Sequence, residues 1–111
     1  MLHKVTDKNY DDIIGGSKVA VLDFTSAWCS TCKHLEGIFA ELSRENDGRV
    51  LMATIDVSES PTLTQTFDVM GIPTVVFLRN GKPVHHVTFT GTVSKEKISQ
   101  LITRYLVSVQ K

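Results

Sequence analysis

The chain has 111 residues, 41% of them hydrophobic, and its 12 Lys and Arg balance 12 Asp and Glu to a formal net charge of +0. That length fits a single domain over residues 1–111 with one core, and the charge balance excludes nucleic acid and basic-patch membrane adsorption as expected modes of action. No stretch approaches the about 18 consecutive apolar residues of a membrane span and Met1 to Val5 holds no apolar leader core, so a monomeric protein retained in the cytoplasm is expected.

Val5-Thr6 reads as the tail of a short edge strand. Thr6 is placed to cap a helix with Asp7 in its first turn, Tyr10, Ile13 and Ile14 on its apolar side, and Gly15-Gly16 at its end. Lys18 to Thr25 is a continuous apolar, β-branched run interrupted only by Asp23, the pattern of a central strand covered on both faces. A helix is predicted from about Ser30 to Glu45, because Leu35, Ile38, Phe39 and Leu42 recur at i, i+3, i+4 and i+7. Within it Gly37 costs about 1 kcal/mol against Ala, which points to a bend or a close approach.

Asn46-Asp47-Gly48 is a turn, and Val50 to Asp56 a second buried strand. Pro61 opens a short helix with Leu63 and Phe67 inward. After a loop at Met70 to Pro73, Thr74 to Leu78 is a third strand. Asn80-Gly81 signals a hairpin to a partner strand, Val84 to Thr90, which Gly91 breaks. Ser94 caps a last amphipathic helix with Ile98, Leu101, Ile102, Tyr105 and Leu106 inward. The order β-α-β-α-β-α-β-β-α predicts an α/β fold, a mixed central sheet of about five strands flanked by four helices.

The only two cysteines stand in Trp28-Cys29-Ser30-Thr31-Cys32-Lys33, at the junction of the first buried strand and the long helix. A Cys-x-x-Cys pair in that setting is a thiol–disulfide site. So close a pair constrains the unfolded chain little, so it is suited to chemistry rather than to stapling. A zinc half-site of Cys29, Cys32 and His34 is the competing reading, but tetrahedral zinc takes four ligands and no second cysteine pair exists. No metal and no cofactor are expected.

Cys29 falls at the helix N-terminus, where unpaired N–H groups and the helix dipole favour a thiolate. Cys32 shares the inward face of Leu35 and is the resolving thiol. Lys33 adds weak positive potential. Asp23, six residues before Cys29, is costly to bury as a carboxylate, so its pKa should be raised. Trp28 is read as part of an apolar contact surface with Met70, Ile72 and the Gly91 loop, against the alternative of a core tryptophan. Glu41, Arg44 and Glu45 read as a solvated helix face.

These blocks, Asp23-Phe24 leading into Trp28 to Lys33, then Gly71-Ile72-Pro73-Thr74, Asn80-Gly81 and Gly91, resemble the thioredoxin family over nearly the whole chain. The resemblance implies the thioredoxin fold and reduction of protein disulfides through Cys29 and Cys32, with Asp23 as proton acceptor for Cys32. It implies a cis peptide before Pro73, packed beside the cysteines, which leaves the Ile72 backbone to pair with an extended client chain. Disulfide-containing client proteins and a separate flavin-dependent reductase are the implied partners. A non-catalytic binding module, or a more oxidising oxidase or isomerase, are the alternative functions.

Three departures stand out. The family usually carries Gly-Pro where this chain has Ser30-Thr31, a proline where it has Gly37, and often a lysine where it has Met52. Ser30 and Thr31 bring back an N–H and add two hydroxyls. More donors near Cys29 should favour the thiolate and so a more oxidising couple.

Overall fold

A computed structural model describes residues 1–88 and 94–110, with side chains for 1–84 and 94–106. The described residues form β1 (Leu2–Val5), α1 (Tyr10–Ile14), β2 (Val19–Thr25), α2 (Ser30–Glu45), β3 (Leu51–Asp56), α3 (Pro61–Thr66), β4 (Thr74–Arg79), β5 (Lys82–Thr88) and α4 (Lys95–Gln110). The strands make one mixed sheet in the order β1-β3-β2-β4-β5. The pairs β1–β3 and β2–β3 are parallel, while β2–β4 and β4–β5 are antiparallel.

β2 is buried at every position, as its unbroken apolar run predicts. Its alternate residues face two different layers. Val19 and Val21 join Met52, Val75 and Phe77 beneath α2 and α4, meeting Leu35, Phe39, Leu42, Ile98 and Ile102. Ala20, Leu22 and Phe24 join Ala53, Ile55, Val76 and Leu78 on the other side, closed by Ile14 of α1 and Leu63 of α3. Phe67 seals that side, its ring 5.6 Å from Phe24 and 6.0 Å from Tyr10.

Several boundaries differ from the sequence expectation. The first strand starts at Leu2, because its pairing with Met52 to Ile55 of β3 defines it rather than its own mixed composition. Thr6 does not cap α1. Its N–H donates to Asn9 Oδ1 at 2.7 Å and its hydroxyl accepts from Lys8 N, so a turn holds these residues and the helix begins only at Tyr10. α3 takes its cap from a distance: Thr62 N and Leu63 N donate to the Asp7 carboxylate at 3.1 and 2.9 Å. β4 runs antiparallel to β2, where alternating βα units alone would give a parallel neighbour. At the hairpin, Asn80 and Gly81 both have positive φ, 53° and 81°, as a two-residue primed turn requires. A Cβ at Gly37 would meet nothing within 4 Å, so no close approach explains that glycine. Phe89, Thr90 and Gly91, the end of the expected last strand and its break, lie outside the described residues.

Candidate active site

β2 ends at Thr25, and a turn through Ser26 to Trp28 delivers Cys29 to the N-cap of α2. The Cys29 sulfur sits where the first helical N–H groups point. It accepts from Cys32 N at 3.2 Å, and the Thr31 hydroxyl lies 3.1 Å away, a donor to a thiolate at that position. Cys29 is half-buried, whereas Cys32, one turn on, is fully buried on the inward face. The two sulfurs are in bonding contact, with Cα atoms 5.2 Å apart. Ser30 and Lys33 are exposed, and Lys33 N continues the helix by donating to Cys29 O at 3.3 Å. Of the two residues between the cysteines, Thr31 is therefore the one that brings its side chain to a sulfur.

Asp23 lies in the layer beneath α2, in line with Val19 and Val21, the same layer that Cys32 enters from the helix. It is 0% exposed, and neither carboxyl oxygen has a hydrogen-bond partner among the described residues. Desolvation, with a smaller contribution from the Glu36 carboxylate, pushes its pKa up to about 8. The sheet register sets Thr54 of β3 on one side of it and Val75 of β4 on the other. Met52 pairs with Val21, two residues earlier on the same face, and is fully buried in the apolar cluster. No cation reaches Asp23 from that position.

Thr25 and Thr54 flank Asp23 and line a polar cleft of about 510 Å³ together with Glu36, Lys33, Lys4 and Asp56. The Thr25 hydroxyl donates to Glu36 Oε1 at 3.4 Å. Asp56 is held below the usual carboxylate range, chiefly by the Ser58 hydroxyl. Sequence reasoning did not single out Glu36. The available signal was its place one turn after Cys32, at i+4 on the same helix.

Of the residues expected to form the contact surface, Trp28 is 93% exposed and Met70 89% exposed, so Trp28 is not a core residue. Ile72 is partly exposed, Pro73 is buried, and the peptide between them is cis. Gly91, expected on the same rim, lies outside the described residues. His34 is exposed. Among the described residues no group of three or more His, Cys, Asp or Glu side chains could hold a metal ion, and no helix is long and apolar enough to cross a membrane.

The thioredoxin family model matches residues 1–104. The chain is 38% identical to the thioredoxin of Staphylococcus saprophyticus over 103 residues, covering 93% of this chain and 96% of that one. It is 32% identical to the thioredoxin of Staphylococcus aureus over the same span. Among solved structures, a mutant thioredoxin from Halobacterium salinarum NRC-1 superposes with a TM-score of 0.85 at 29% identity, covering 95% of this chain and 90% of that one. Matched along nearly its full length in sequence and in backbone, and with its paired sulfurs at a helix start, this chain belongs to the thioredoxin family and is a thiol–disulfide oxidoreductase.

Proposed function

We propose that the chain works as a reductant of protein disulfides in the cytoplasm, recharged by a separate flavin-dependent reductase. The observation that carries this reading is the pairing of a half-buried Cys29 at the start of α2 with a buried Cys32 in the layer that holds Asp23. The Cys29 thiolate attacks one sulfur of a client disulfide. A mixed disulfide forms, and the second client sulfur leaves as a thiolate that takes a proton from solvent. Asp23 then accepts the Cys32 proton. The Cys32 thiolate attacks the Cys29 sulfur, releases the first client sulfur and leaves a Cys29–Cys32 disulfide. Two electrons have passed to the client, and the reductase restores them. A base with a pKa near that of a thiol suits this proton transfer better than an ordinary carboxylate.

The exposed Trp28 and Met70, together with Ile72 and Pro73, form the client-docking rim in this reading. An extended client segment would pair with the Ile72 backbone as a short added strand. Insulin reduction with dithiothreitol as donor tests the activity. Cys29→Ser should lower the rate at least about a thousandfold, to that of dithiothreitol alone, since no nucleophile remains. Cys32→Ser should accumulate the mixed disulfide. A Cys29→Ser protein that still reduces insulin would refute the assignment.

A second reading has an observation of its own. The Thr31 hydroxyl at the Cys29 sulfur favours the reduced form and moves the couple in the oxidising direction. Equilibration with glutathione separates a reductant from a disulfide oxidase or isomerase.

A further inference from the structure

We propose that Glu36 is a positioning residue for the Cys32 step, acting on Asp23 across the polar cleft between α2 and the β1–β3 edge of the sheet. The inference rests on the reading of Asp23 as proton acceptor. Its first support is geometric. On the α2 side of the sheet one transverse row runs Lys4, Thr54, Asp23 and Val75, from β1 across β3 and β2 to β4. Thr25 lies two residues past Asp23 on the same face. Both threonines reach the cleft, and Thr25 holds the Glu36 carboxylate at 3.4 Å over that row. The uncharged Thr25 and Thr54, neither hydrogen-bonded to Asp23, therefore lie between the buried acid and the cleft, with a second acid on its far side.

The second support is electrostatic. The charged groups that face this cleft are Lys4 from β1, Asp56 from β3, and Lys33 and Glu36 from α2, while β4 contributes the apolar Val75. Lys4 also pairs with Glu59 at 3.7 Å and acts on Asp56, and both lysines are exposed. Glu36 is the side chain whose charge raises Asp23 further above the level set by burial. A like charge there opposes ionisation of Asp23. Met52, apolar and buried, supplies no charge to counter it. The two features push in one direction: Asp23 is mostly protonated at neutral pH, and the fraction able to act as a base grows as pH rises through about 8. Glu36 touches neither sulfur and acts only through Asp23.

The test follows Asp23 by carbon NMR titration in the oxidised protein, beside the pH profile of disulfide reduction, in the wild type, Glu36→Gln, Glu36→Lys and Asp23→Asn. Position 36 is exposed, so these variants should fold. The Asp23 midpoint should fall by about half a pH unit in Glu36→Gln and further in Glu36→Lys, because the charge changes stepwise while Gln keeps the size and the acceptor. The matching inflection of the rate profile should move by the same steps. In Asp23→Asn that inflection should vanish, and adding Glu36→Gln should change nothing more. An Asp23 midpoint common to all three residues at position 36 would overturn the role of Glu36 and leave that of Asp23 intact. A rate inflection that survives Asp23→Asn would overturn both.

Discussion

The two sides of β2 differ by one residue type in register. On the side of α1 and α3, Ala20, Leu22 and Phe24 all pack into one apolar cluster. On the side of α2 and α4, Val19 and Val21 do the same, but the third position is Asp23, fully buried and unpartnered. The first side is a core and nothing else. The second is a core for two positions and a site at the third, at the end of the strand where the chain turns into Cys29. A buried carboxylate without a partner works against stability. It is found on the face that also buries Cys32, where under the proposed mechanism its raised pKa would serve proton transfer. Function and packing are thus divided between alternate residues of one strand, and the tolerance to substitution should divide the same way.

The largest effect comes from moving the acid to the wrong side. Leu22→Asp removes a fully buried leucine and places a carboxylate among Phe24, Ile55 and Leu78. The cost should be about 5 kcal/mol or more, comparable with the whole stability of a domain this size, whereas Leu22→Ala should cost about 3 kcal/mol. Circular dichroism and urea unfolding would show it. A cooperatively folded Leu22→Asp protein would dissolve the contrast between the faces.

The next effect has the opposite sign. Asp23 keeps its proton to about pH 8 when folded, against about 3.9 unfolded. Between those values the folded state binds more protons than the unfolded state, so stability falls as pH rises from about 4 to about 8. Asp23→Asn removes this slope. The oxidised variant should gain on the wild type as pH rises, by about 1 kcal/mol at pH 4.5 and about 5 kcal/mol at pH 9. Urea unfolding at the two pH values measures the difference. A gain that stays constant with pH would mean that Asp23 ionises as freely in the folded protein as in the unfolded chain.

This division was partly legible in the sequence. The unbroken run Lys18 to Thr25 marked a strand buried on both sides, and Asp23 stood out because it broke that run. The i, i+3, i+4, i+7 pattern of Leu35, Ile38, Phe39 and Leu42 placed α2 and put Cys32 on its inner face. What stayed hidden depends on contacts between distant segments. Asp7 caps α3 from 55 and 56 residues away. β1 is a strand because β3 lies beside it, and β4 is reversed by a connection whose path no local pattern specifies. Glu36 read as one more acid on an exposed helix, since only the register of β2, β3 and β1 sets the cleft beside Asp23. Thr31 and Ser30 were equivalent as letters; the helix start turns one hydroxyl toward the sulfur.

That last distinction supplies the smallest effect. Thr31→Val keeps the shape of the side chain and removes the hydroxyl 3.1 Å from the Cys29 sulfur. In the reduced protein the hydroxyl donates to a thiolate, which makes this a charge-assisted bond, though one weakened by the exposure of Thr31. Its loss should disfavour the thiolate by about 1 kcal/mol and lower the reduction potential by about 20 mV. Ser30→Ala should move the potential much less, since Ser30 is not placed at the sulfur. Glutathione equilibration measures both variants under one condition. Equal shifts for the two would assign the effect to the helix start as a whole, and a higher potential in Thr31→Val would reverse the sign argued for the hydroxyl. Because the pH-dependent stability of the oxidised protein comes from Asp23, and no thiolate exists there to receive the bond, Thr31→Val should leave that stability unchanged.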